Sequence, residues 1–116
     1  MVKLESLKKS YQFKKTLGEK KVHSEFFSIY ATKNFYRPQY KSSLIISFVM
    51  KKKIGNAVKR NKIRRKLKAI VQKLLKKRGA ISKDYTYIVL GKSNAYAQKQ
   101  TILMPMMKKC FDKIKI

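Results

Sequence analysis

The sequence predicts one α+β domain, a mixed central sheet with helices packed on it. Three observations support this. The chain has 116 residues, two prolines and no Gly/Ser-rich linker, so it is most simply one domain. Folding at that length buries roughly two thirds of the unfolded surface, enough for one modest core. Three short runs rich in β-branched and aromatic residues, FFSIYAT, SLIISFVM and YTYIVL, read as strands. Between the second and third runs lies a long segment with apolar residues at helical spacing. Strands interleaved with helices form a sheet covered by helices.

The elements follow in order. Residues 6 to 17 suit a first helix: Ser6 or Ser10 can cap it, Phe13 and Leu17 share a face, and Gly18 can end it. FFSIYAT (26 to 32) is the first strand, and VHSEF can extend it upstream. NFYRPQYKSS, with Pro38, is a loop or hairpin connection leading to SLIISFVM (43 to 50), a nearly continuous apolar run expected as a buried central strand. A second helix spans 57 to 77. Asn56 is its N-cap, Gly79 follows it, and Ile63, Leu67, Ile70 and Leu74 form one stripe. Lysines and Arg78 in the last turn suit the negative end of its dipole. YTYIVL (85 to 90), between Asp84 and Gly91, is the third strand. Residues 95 to 114 form a final helix that is kinked at Pro105 or begins there. The order is α, β, β with room for a further strand, α, β, α.

Charge narrows the function. The formal net charge is +26, with only five acidic residues. Self-repulsion of that size is relieved by a polyanion, and nucleic acid is the commonest one. A lysine-rich composition by itself would give solvated lysines everywhere. Against that reading, three of the five arginines, Arg60, Arg64 and Arg65, fall within six residues. A guanidinium presents a planar fork to phosphate that lysine lacks. The stretch Lys51–Lys68 contains ten lysines and arginines and no acid. At about 100° per residue, Asn61, Arg64, Arg65, Lys68 and Gln72 occupy about one third of the circumference, away from the apolar stripe, with Arg60 at the border. Gly55–Asn56 turns the chain into this helix. That turn either presents N–H groups to phosphate or only needs glycine's backbone freedom. Of the seven tyrosines and six phenylalanines, most are core by default. Phe13 and Tyr30 are candidates for stacking on unpaired bases if the first helix and first strand border an open cleft.

Other classes fit less well. SLIISFVM is too short to cross a bilayer, and MVKLESLKKSYQF has no secretory pattern. A lone cysteine, Cys110 among apolar neighbours, reads as core and fits a reducing cytoplasm. A protein nuclease needs clustered carboxylates or a histidine pair. Glu5, Glu19, Glu25, Asp84 and Asp112 are dispersed, and His23 is the only histidine. A DNA regulator would need a dimer to read two half-sites, and no dimer seam is evident. A ribosomal or other structural RNA-binding protein fits charge and size equally well.

The run IGNAVKRNKIRR resembles the RNR helix of the bacterial ribonuclease P protein component, through Gly55, Ala57, Val58, Arg60, Asn61, Arg64 and Arg65, with Lys52 and Lys53 matching the lysine pair before it. Leu7, Lys8, Lys9 and Phe13 resemble the family's N-terminal stretch, and DYTYIVL its late strand. The chain departs from the family pattern at Ser6, Leu17, Lys51, Lys68–Ala69 and Leu90. The resemblance implies an α-β-β-β-α-β-α sandwich with a left-handed crossover, against the usual right-handed default. It also implies a protein subunit for a catalytic RNA that removes the 5′ leader of precursor tRNA. In that role Lys52, Lys53, Arg60, Asn61, Arg64, Arg65 and Lys68 would contact the catalytic RNA, and Phe13, Leu17 and Tyr30 the single-stranded leader. The protein would supply no catalytic residue, Mg²⁺ would be held mainly by the RNA, and one protein monomer would join one RNA in the cytoplasm.

Overall fold

The computed structural model describes residues 4–7, 10–33, 44–77, 79–82 and 85–114. The expected loop at 34–43, Arg78 in the last turn of the second helix and Asp84 before the last strand lie outside them. The strands are β1 (Leu4–Glu5), β2 (Lys20–His23), β3 (Phe27–Lys33), β4 (Leu44–Met50) and β5 (Tyr85–Gly91). The helices are α1 (Ser10–Gly18), α2 (Ala57–Leu75) and α3 (Gln100–Ile114), with short 3₁₀ turns η1 (Lys52–Ile54) and η2 (Ser93–Tyr96). The sheet order is β1-β4-β5-β3-β2. β4 is parallel to β1 and β5, while β3 is antiparallel to β5 and β2. The sheet is therefore mixed, and from α1 onward the order is α-β-β-β-α-β-α.

Register explains why the two faces differ. Side chains alternate across a strand, so paired residues form rows on one face. The row Phe48–Val89–Ile29–Val22 is wholly apolar, and it joins the main core under α2 and α3. The next rows, Ser47–Ile88–Tyr30–Lys21 and Val49–Leu90–Ser28–His23, mix polar and apolar groups on the opposite face. Among the described residues, that face carries nine-residue α1 and a small cluster of Leu7, Ile45 and Ile88. Among those residues, it is less covered than the α2/α3 face.

Helix α2 is seated by Ile63, Leu67, Ile70, Val71 and Leu74, all buried. It starts where expected because the Asn56 side chain accepts a hydrogen bond from the Lys59 N–H at 2.9 Å. Gly91 at the end of β5 permits the close approach, since a Cβ there would meet Met50 Sδ at 2.4 Å and Ile63 Cγ2 at 3.0 Å. The edge-to-face pair Tyr87–Phe111, with centroids 5.1 Å apart, ties β5 to α3.

Several boundaries differ from expectation. Helix α1 begins at Ser10 instead of 6, because Leu4–Glu5 pairs with β4 and the Leu7 N–H donates to Ser47 Oγ at 2.8 Å. VHSEF does not extend the first strand. Its first residues belong to β2, and Ser24 closes a turn by hydrogen bonds with Phe27. Helix α2 ends at Leu75, and Gly79 takes a positive φ of 77° in the following turn. Helix α3 begins at Gln100, after η2, and runs through Pro105 instead of starting there. The proline removes a hydrogen bond to Thr101, whose exposure lets water serve that carbonyl.

Two substitutions separate seating from capping. Leu67→Ala should lower unfolding free energy by about 2–5 kcal/mol, and Asn56→Ala by about 1 kcal/mol, in urea titrations of the isolated protein.

Candidate nucleic-acid interface

With its apolar stripe against the sheet, α2 presents three sectors, and it carries no acid along its length. Asn61, Arg65, Lys68 and Gln72 point outward and are exposed. Arg60 and Arg64 lie on the flank toward the outer edge of β4 and are half-buried. Lys59, Lys62 and Lys66 lie on the other flank, toward η2. Arg64 Nη1 donates to Asn61 Oδ1 at 2.6 Å, which fixes the guanidinium one turn from the amide. Arg60 Nε is buried without a hydrogen-bond partner among the described residues. Arg64 and Arg65 therefore occupy adjacent sectors of α2, and Arg60 sits deeper than the border position expected for it.

Lys51, Lys52 and Lys53 are exposed just ahead of α2, the last two on η1. Of the two readings of Gly55, the backbone one fits. Its φ is 153°, an added Cβ would meet Lys59 Cδ at 3.0 Å, and its N–H already donates to Lys52 O at 3.3 Å.

Strand β1 pairs only with Leu44 and Ile45, so the outer edge of β4 from Ile46 onward has no strand beside it among the described residues. A cleft of about 260 Å³ opens there. Phe13 of α1, Phe48 and Val49 of β4, and Arg64 and Lys68 of α2 line it, with Ser6 and Ser47 adding hydroxyls. The sheet edge therefore joins an aromatic wall to a cationic wall. Phe13 and Tyr30 both pack on the Leu7–Ile45–Ile88 cluster, but Tyr30 and Leu17 do not line this cleft. Leu17 is 43% exposed on α1. The Tyr30 ring meets His23 edge-to-face at 6.0 Å, and His23 Nδ1 lies 2.7 Å from Ser28 Oγ. Sequence reasoning missed Phe48, Val49 and Ser47 because SLIISFVM reads as buried throughout. The polar Ser47 beside the basic run was the available signal.

Burial pushes the Cys110 thiol up, and nearby Lys113 only partly opposes this, so the group favours the inert thiol. Among the described residues, no three of His, Cys, Asp or Glu gather where they could hold a metal ion. No described helix is long and apolar enough to cross a membrane.

A small basic α+β protein with a sheet-mounted cationic helix and an amphipathic cleft at a sheet edge has the surface chemistry of a polyanion-binding protein. Comparison with known proteins makes this specific. The Ribonuclease P family model matches residues 1–115. Over 110 residues, covering 94% of each chain, the sequence is 32% identical to the ribonuclease P protein component of Mycoplasma capricolum and 33% identical to that of Mycoplasma mycoides. The fold matches the Staphylococcus aureus RNase P protein with a TM-score of 0.73 at 22% identity, covering 96% of this chain and 95% of that one. It matches the Thermotoga maritima RNase P protein with a TM-score of 0.73 at 20% identity, covering 94% and 96%. The chain belongs to the ribonuclease P protein family.

Because Arg65 is exposed and Arg64 makes only a local hydrogen bond, neither supports the core. Arg64→Ala with Arg65→Ala should change stability by less than about 1 kcal/mol in the same urea titration.

Proposed function

We propose that this protein is the protein subunit of a ribonuclease P. It binds the catalytic RNA and the single-stranded 5′ leader of precursor tRNA, and so promotes endonucleolytic release of the mature 5′ end. The observation that carries this reading is the cleft at the β4 edge. It brings Phe13 and Phe48 together with Arg64 and Lys68, the pairing of stacking surface and phosphate-binding cation that an unpaired strand requires.

The mechanism is electrostatic and geometric. Lys52, Lys53, Asn61, Arg65 and Lys68 form an exposed surface on η1 and α2 for the phosphates and 2′-hydroxyls of a folded RNA. Arg60 and Arg64 continue it toward the cleft. The RNA major groove is too narrow for a helix, so α2 reads shape and backbone instead of base edges. Phe13, with Tyr30 and Leu17 farther along the partly covered face, receives the leader. Fixing both RNAs on one rigid body orients the scissile bond beside the catalytic RNA. The chemistry belongs to the RNA, and Mg²⁺ serves there as counter-ion and catalyst. One protein monomer would serve one RNA.

Three measurements test the reading. Added to a bacterial ribonuclease P RNA at low Mg²⁺, the protein should restore precursor tRNA cleavage that neither component achieves alone; absence of stimulation contradicts it. Affinity for that RNA should fall roughly 10³-fold or more between 50 and 200 mM salt, as several released counterions require. Phe13→Ala should weaken precursor tRNA binding to the holoenzyme by about 1–3 kcal/mol while sparing mature tRNA. Equal losses on both ligands would remove Phe13 from the leader site.

A further inference from the structure

The flank of α2 that faces η2 has a feature the reading above does not use. Tyr96 of η2 is 36% exposed, and two ammonium groups from α2 lie against its ring, Lys59 Nζ at 5.3 Å and Lys62 Nζ at 4.7 Å from the centroid. Lys59 Nζ also donates to Ser93 Oγ at 3.2 Å. The turn that presents Tyr96 is held from two sides. Lys66 Nζ donates to the carbonyls of Ala95, Tyr96 and Gln98 at 3.3, 2.7 and 2.7 Å. Asn94 Nδ2 donates to Glu25 O at 2.9 Å, and Lys92 Nζ to Ser24 O at 2.6 Å.

Like charges three residues apart on a helix repel, and neither α2 nor η2 contains an acid to compensate. The ring quadrupole offsets part of that repulsion and holds both ammoniums over one spot. Burial and the neighbouring Lys62 charge hold Lys66 below the ordinary lysine value, another sign of crowded positive charge on this flank. A pair of restrained, uncompensated cations on a fixed turn suits the closely spaced negative charges of a phosphodiester chain.

We infer that this flank is a second RNA-binding surface, on which Tyr96 positions Lys59 and Lys62 to grip the backbone of a segment of the catalytic RNA distinct from the one met by the arginine flank. Lys59 and Lys62 lie roughly 140–160° around α2 from Arg64, so a strand along one flank would have to wrap nearly half-way around the helix to reach the other. The inference rests on the proposed role as a ribonuclease P subunit, and it makes α2 a wedge between two RNA segments.

The test uses the full protein and a bacterial ribonuclease P RNA, with hydroxyl-radical footprinting and salt-dependent affinity. Lys59→Gln with Lys62→Gln should lower the log–log salt slope by roughly two. It should also expose nucleotides that stay protected in the Arg64→Ala, Arg65→Ala protein. Tyr96→Leu should weaken binding about 2- to 5-fold, and Tyr96→Phe, which keeps the ring, should bind as the parent does. Thermal melts of each variant alone should match the parent, which separates lost contacts from lost fold. An unchanged slope, or loss of protection at the same nucleotides as in the arginine variant, would overturn the inference and leave the functional reading standing. Unchanged RNA affinity with lost binding to polyglutamate would reassign the flank to an acidic protein and equally overturn it. If the parent protein itself fails to bind the RNA, the functional reading falls and this inference with it.

Discussion

The structure depends on how α2 is held. Five buried aliphatic side chains seat the helix, with Leu67 and Ile70 fully enclosed. Each such burial contributes about 1.5–3 kcal/mol, and together they fix which way every other residue of the helix points. With no acid on α2, every charged group on the remaining circumference is a cation, and its other polar side chains are amides. Repulsion along that surface is the cost of the arrangement, and apolar seating offsets it. The Gly91 gap matters for the same reason, because it lets Ile63 settle against the end of β5 at the start of the helix.

A second constraint comes from the sheet. Its α2/α3 face is apolar across four strands, whereas the α1 face mixes Ser47, Tyr30, Ser28 and His23 with apolar neighbours. Among the described residues, nine-residue α1 leaves part of that face open, and two-residue β1 leaves the edge of β4 open from Ile46 onward. The partly open face and the open edge meet beside Arg64 and Lys68. The cleft therefore lies at a sheet edge, next to the helix with the largest buried stripe. Family membership and this geometry are mutually consistent, since the run carrying the family resemblance is the run that builds the cationic face.

Much of this was legible in the sequence, and the rest failed for identifiable reasons. Helix α2 was readable because its cap, stripe and breaker are local signals that agree. β3, β4 and β5 were readable to within a residue or so because their apolar runs are strong. β2 was not, since KKVH carries one apolar residue and its strand character comes from pairing with β3. The start of α1 was misplaced because a long-range bond, Leu7 to Ser47, holds the preceding residues extended. The charged surface was foreseen, but its division into flanks was not. Arg60 and Arg64 turn toward β4 and Lys59 and Lys62 toward Tyr96 because of where η2 and the sheet edge lie. On the lysine flank, hydrogen bonds spanning 34 and 30 residues fix the placement.

The central claim is that the outward side of α2 faces structured RNA, and tethered cleavage tests it most directly. An iron chelate would be attached to a cysteine at Lys68 and, separately, at Asp112 on the outer side of α3, each in a Cys110→Ala background. The complex with a bacterial ribonuclease P RNA would then be exposed to peroxide. Strong, localised scission of the RNA from the Lys68 tether, well above that from the Asp112 tether, is the result expected here. Scission that is equal from both, or absent from Lys68 alone, would mean that the helix does not face the RNA.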